Sequence, residues 1–114
     1  MKKSRKDINH TEILKAAQAM GATVIIDLAQ HRVSCDVLIA FRGDLFLIEI
    51  KNPEYMTKTT TRWNWLTESE KAIAEACACG NVPFFIVQDI EELKAVLFNR
   101  DQRFSVPKYH QRNL

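Results

Sequence analysis

The chain has 114 residues, enough for one domain with a single modest core. A hydrophobic share of 46% and a charged share of 26% exclude a disordered or collagen-like chain. The formal net charge of +2 is too small to demand a nucleic-acid partner, and no apolar run approaches the roughly 18 residues of a membrane span.

The start, Met1-Lys2-Lys3-Ser4-Arg5-Lys6, is basic, but no apolar stretch follows it as in a signal peptide. The expectation is a cytoplasmic protein without a membrane partner. Residues 1–6 and 100–114 are expected to be flexible basic tails on one domain spanning 1–114. The cysteines, Cys35, Cys77 and Cys79, are odd in number, which argues against a disulfide framework. His10, His31 and His110 show no ligand spacing with them. The cysteines therefore read as small apolar packing groups.

A first helix is expected from Ile8 or Thr11 to Met20, with Ile13, Leu14, Ala17 and Met20 as its apolar stripe. Asn9 and Glu12 have capping-box spacing, and Gly21 suits the helix end. A β-branched strand follows at Thr23–Ala29. Two more apolar runs, Val37–Phe41 and Leu45–Ile50, flank a tight turn. Residues 52–66 show no clear period; a loop that long is often functional.

Thr67 with Glu70 matches a capping box, opening a helix over Glu68–Cys79 that ends at Gly80. Strand four is Phe84–Gln88. Asp89 and Glu92 then open a third helix with Leu93, Val96 and Leu97 on its apolar face. The order α-β-β-β-α-β-α predicts a mixed sheet flanked by helices. Strands one to three should form an antiparallel meander, with strand four added in parallel by a crossover.

Asp36, Glu49 and Lys51 stand where the two central strands should be buried. A buried charge is costly unless it is paired or holds a metal. If Arg42-Gly43 is a two-residue turn, Phe41 faces Asp44, Leu38 faces Leu47 and Asp36 faces Glu49. Opposite residues share a face, and Lys51, two past Glu49, shares it too. Facing carboxylates repel unless something positive lies between them. Lys51 supplies part of that charge, and a divalent cation would supply more. An Asp–Lys–Glu ion-pair cluster at a sheet end is the plain structural alternative.

Asp36, a spacer, and then Glu49-Ile50-Lys51 resembles the PD-(D/E)XK nuclease signature, and the element order is similar to that superfamily's core. Within it the chain looks most like the small VRR-NUC branch, with stand-alone phage-type nucleases and Holliday-junction resolvases. The resemblance rests also on Glu12, Cys35-Asp36-Val37-Leu38-Ile39, Leu47-Ile48, Leu66-Thr67-Glu68-Ser69-Glu70-Lys71, Phe85-Ile86-Val87 and Ile90-Glu91-Glu92-Leu93. It spans residues 8–98. Cys35 stands where many members have proline, and Glu70 where the family usually has glutamine.

The resemblance implies a restriction-endonuclease-like αβββαβ core with a flanking C-terminal helix. It implies a divalent-metal-dependent DNA endonuclease that acts on double-stranded or branched DNA such as Holliday junctions. It implies Mg2+, with Mn2+ as a substitute. Asp36, Glu49 and the Ile50 carbonyl would be metal ligands, Lys51 the catalytic lysine, and Glu12 a supporting acid. Glu12 is otherwise half of the cap with Asn9. Glu70 is either a supporting group or only a cap with Thr67. A homodimer is implied by two-strand cleavage.

In the 52–66 loop, Lys58 and Arg62 are candidate phosphate contacts, with Trp63 or Trp65 stacking on a base. Core packing or a dimer contact are the alternatives for the tryptophans. Two other functions stay open: a catalytically idle nucleic-acid-binding protein, and a phage accessory protein-interaction module on the same fold.

Overall fold

The structure is a computed structural model, and it describes residues 5–28, 36–52 and 62–105. The elements are α1 (Arg5–Ala19), β1 (Val24–Asp27), β2 (Val37–Phe41), β3 (Asp44–Ile50), α2 (Glu68–Cys79), β4 (Phe84–Val87) and α3 (Ile90–Asn99). Short 3-10 turns lie at Arg62–Trp65 and Gln102–Phe104. The element order is the one the sequence predicts. No helix among the described residues is long and apolar enough to cross a membrane.

The four strands form one mixed sheet in the order β1-β2-β3-β4. β1 with β2 and β2 with β3 are antiparallel, and β3 with β4 is parallel. The parallel pair follows from α2, whose length lets the chain cross over and return in the same direction.

Two cores sandwich this sheet. One packs Ile13 and Ala17 of α1 and Leu93, Val96 and Leu97 of α3 on Val37, Ile39, Phe46, Ile48 and Val87. The other packs Ala74 of α2 and Leu66 on Phe84 and Ile86, with Leu47, Trp63, Trp65 and Cys77 around them. The molecule is thus a mixed α/β fold with helices on both sheet faces. The second layer is narrower: Leu45 at the start of β3 is 65% exposed and Ile26 on β1 is 39% exposed. The expectation that the two central strands are buried is corrected at Leu45.

Two boundaries differ most from expectation. α1 begins at Arg5, so Arg5 and Lys6 are helical rather than part of a tail. Arginine and lysine are good helix formers, and Asp7 in the first turn favours the positive end of the helix dipole. Asn9 therefore lies inside α1 and cannot cap it. At the other end the ordered chain continues beyond residue 100. Arg100 caps α3 in the left-handed conformation, Asp101 caps the following 3-10 turn, and Ser105 bridges to Phe85 on β4. Residues 106–114 lie outside the described residues.

Candidate active site

The β2–β3 hairpin turns through Arg42 and Gly43, whose φ values are 51° and 85°. Two successive positive values define a type I′ turn, the one that matches strand twist. The turn fixes the register. Phe41 pairs with Asp44, Ala40 with Leu45, Leu38 with Leu47 and Val37 with Ile48. Asp36 is one residue beyond this last pair, level with Glu49.

Strand alternation sends Phe46, Ile48 and Ile50 into the α1–α3 core and Leu47, Glu49 and Lys51 to the α2 side. All three charged residues are buried: Asp36 is 9% exposed, Lys51 3% and Glu49 1%. Asp36 Oδ2 accepts a 2.7 Å hydrogen bond from the Ile50 amide, which closes the open end of the hairpin. The N–H and C=O of a strand residue point to the same edge, so the Ile50 carbonyl is directed to the Asp36 side. The Lys51 amide points the other way and donates to the Val87 carbonyl at 2.9 Å.

The Lys51 ammonium lies 3.2 Å from Glu49 Oε2 and 2.9 Å from Glu70 Oε1. Glu70 belongs to the first turn of α2. Its side chain also accepts from the Thr67 amide at 2.8 Å while Thr67 caps the Glu70 amide, a complete capping box. The cap reading of Glu70 is therefore realised, and the same oxygen also meets the Lys51 ammonium. The sequence shows the cap by spacing. The contact with Lys51, 19 residues away, has no local signal.

These groups shift one another's acidity. Burial, the charge of Asp36 and the Glu70 carboxylate push Glu49 up to about 9, against the opposing pull of Lys51. Burial alone would lower Lys51, but Glu70 and Glu49 outweigh it and raise the ammonium above its ordinary value. Burial would raise Glu70, but its proximity to Glu49 and Lys51 and the hydrogen bond from the Thr67 amide hold it below the usual carboxylate range. These shifts favour a neutral Glu49 beside an ionised Glu70 and a charged Lys51.

Among the described residues neither buried oxygen of Glu49 has a well-formed hydrogen bond, and Oε2 has only the 3.2 Å ion-pair contact with the Lys51 ammonium. Poorly satisfied buried oxygens cost about 1–3 kcal/mol each. A hard divalent cation would satisfy them, because Mg2+ takes one or two carboxylates and completes its shell with water. Asp36, Glu49 and the Ile50 carbonyl make such a partial set. Among the described residues no three His, Cys, Asp or Glu side chains form a ready-made cage.

The other sequence candidates lie elsewhere. Glu12 is exposed on α1, whose buried residues Ile13 and Ala17 serve the opposite core, and among the described residues it makes no hydrogen bond or ion pair. Arg62 is held inside the fold: it forks onto both oxygens of Glu92 and donates to the Ile86 carbonyl. Trp63 packs on the α2-side core, with the Lys71 ammonium 5.7 Å from its ring centre. Trp65 packs there too, so the core-packing alternative describes both tryptophans. Lys58 and Cys35 lie outside the described residues.

No protein-family model matches the chain, and neither a curated protein nor a solved structure is significantly similar to it.

Proposed function

We propose that the protein is a divalent-metal-dependent DNA endonuclease of the PD-(D/E)XK kind, hydrolysing phosphodiester bonds in double-stranded or branched DNA. The observation that carries this reading is that the register sets Asp36 level with Glu49 at the end of two central strands, both buried, with the Lys51 ammonium beside Glu49 and no well-formed hydrogen bond to either Glu49 oxygen among the described residues. The α-β-β-β-α-β order and the β1-β2-β3-β4 mixed sheet also support it.

Asp36, Glu49 and the Ile50 carbonyl would hold Mg2+ or Mn2+. Such an ion, when bound, lowers the pKa of a coordinated water and stabilises charge on a phosphoryl oxygen. The chain's own contribution is positional and electrostatic. The Asp36–Ile50 hydrogen bond fixes the Ile50 carbonyl at the edge where Asp36 lies. Lys51 stays protonated, held by Glu70, and its ammonium offsets charge that develops on the phosphate. Burial excludes competing water from around these groups.

The test is cleavage of supercoiled plasmid and of a four-way junction with Mg2+ or Mn2+. Metal-dependent nicking by the wild type, lost in both Asp36→Ala and Lys51→Ala, is the expected result. Cleavage unaffected by either substitution refutes the residue assignment. DNA binding without cleavage under any divalent metal would instead favour a catalytically idle binding protein.

A further inference from the structure

Arg62 reads from sequence as a phosphate contact, but its surroundings give it a different task. Its guanidinium donates to both Glu92 oxygens, at 2.6 Å from Nη2 to Oε2, and to the Ile86 carbonyl at 3.1 Å. The rings of Trp65 and Phe104 lie 5.1 and 4.9 Å from it. Three of its five N–H groups are thereby committed to protein acceptors, the Glu92 carboxylate taking the fork a phosphate would use. Glu92 is equally committed, since it also accepts from the Gln88 amide at 2.9 Å and the Gln88 side chain at 3.1 Å.

The position of this clamp relative to the site matters. Ile86 and Val87 are the β4 partners of Glu49 and Ile50. The Lys51 amide holds the Val87 carbonyl, and Arg62 holds the carbonyl before it, Ile86. Successive carbonyls point to opposite edges of a strand, so β4 is gripped from both sides at one level. Among the described residues β4 is the last strand of the sheet, and outside it the ladder offers only the Ser105 bridge at Phe85. Arg62 therefore supplies the outer support at the point where β4 braces the strand end bearing Glu49, Ile50 and Lys51.

We infer that Arg62 is a positioning residue for that strand end, acting through Glu92 and β4, and not a contact to DNA. This rests on the proposed nuclease reading only for its effect on turnover; its effect on the strand end stands apart from it.

The experiment compares Arg62→Ala, Glu92→Ala, their double variant and the milder Arg62→Lys, which keeps the charge but lacks the fork. Amide hydrogen exchange reads Ile50 and Lys51, with Ile39 in mid-strand as the internal reference. Exchange at Ile50 and Lys51 is expected to quicken about tenfold in each single variant, with the double no faster than the singles. Arg62→Lys should fall on the same side as Arg62→Ala. If the wild type cleaves DNA, kcat should fall in both single variants while the salt dependence of DNA binding stays as in the wild type. Unchanged exchange at Ile50 and Lys51 overturns the inference. So does a loss of DNA affinity in Arg62→Ala, with the salt slope reduced by about one, alongside unchanged or tighter binding in Glu92→Ala. A wild type that never cleaves DNA defeats the nuclease reading alone, and the exchange rates still decide the role of Arg62.

Discussion

Lys51, one residue past β3, and Glu70, in the first turn of α2, flank a long connection, yet their side chains meet at 2.9 Å with the ammonium almost fully buried. The same Glu70 oxygen accepts from the Thr67 amide. Helix capping and placement of the lysine are thus one structural event. Nothing in the capping pattern itself requires it.

Lys51→Ala removes the cation between Glu49 and Glu70. Under the nuclease reading, cleavage should fall by about a hundredfold or more, as when one preorganised transition-state donor is lost. Single-turnover cleavage at saturating DNA checks this. Loss confined to DNA affinity, with the rate at saturation intact, would assign Lys51 to binding instead.

Glu49 gives the protein a pH dependence of known sign. Its acidity is weakened on folding, its pKa pushed up to about 9 from the ordinary 4.5. The stability tied to its protonated form is complete below the unfolded value and is lost as pH rises toward 9. Glu70 and Lys51, shifted in the charge-favouring direction, act at other ends of the scale: Glu70 loses its contribution as pH falls, and Lys51 as pH rises through its raised value. Glu49→Gln isolates the first effect. Metal-free, the variant should gain on the wild type between pH 5 and 8, by up to about tenfold in the folding equilibrium per pH unit. Urea unfolding at several pH values measures it, and a constant difference across that range would contradict the assignment.

The same shift predicts proton release on metal binding. A ligating carboxylate must be ionised, so Mn2+ binding at pH 7 should expel about one proton from the wild type and none from Glu49→Gln. Calorimetry in buffers of different ionisation enthalpy reads the proton count directly.

Thr67→Ala removes one side of the α2 capping box and should cost about 1 kcal/mol of stability. Because Glu70 keeps its contact with Lys51, cleavage at a temperature well below unfolding should persist. Glu70→Ala removes both the cap and the lysine's partner, and should lower stability and cleavage together. Equal effects of the two substitutions on cleavage would mean that Glu70 acts only through the helix.

Gly43 occupies the second place of the hairpin turn at φ 85°, and nothing lies within 4 Å of where its Cβ would be. Gly43→Ala should therefore destabilise by roughly 1–2 kcal/mol from backbone strain alone. Thermal unfolding measures it. A neutral result would mean that the turn, and with it the register of Asp36 against Glu49, is not held by this conformation.

Much of the fold was legible because the informative signals are local. Arg42-Gly43 between alternating apolar runs defined a two-residue turn, and counting from it placed Asp36 level with Glu49. Thr67 with Glu70 and Asp89 with Glu92 marked real helix starts. The same spacing misled at Asn9 and Glu12, because helix formers from Arg5 onward carried α1 upstream of the apparent cap. Relations across many residues left no trace in the pattern. Arg62 and Glu92 are 30 positions apart, and only packing brings them together. An arginine beside tryptophans in a loop looks alike whether it awaits a phosphate or already holds a carboxylate.

The central claim is that Asp36, Glu49 and the Ile50 carbonyl hold one divalent cation. A crystal soaked in Mn2+ tests it most directly, through anomalous scattering. The account predicts a single strong peak about 2.0–2.2 Å from an oxygen of each of these three groups. A protein that binds no Mn2+ there, with Glu49 still protonated against Glu70 and Lys51, would contradict it and leave the three charges as a structural ion-pair cluster.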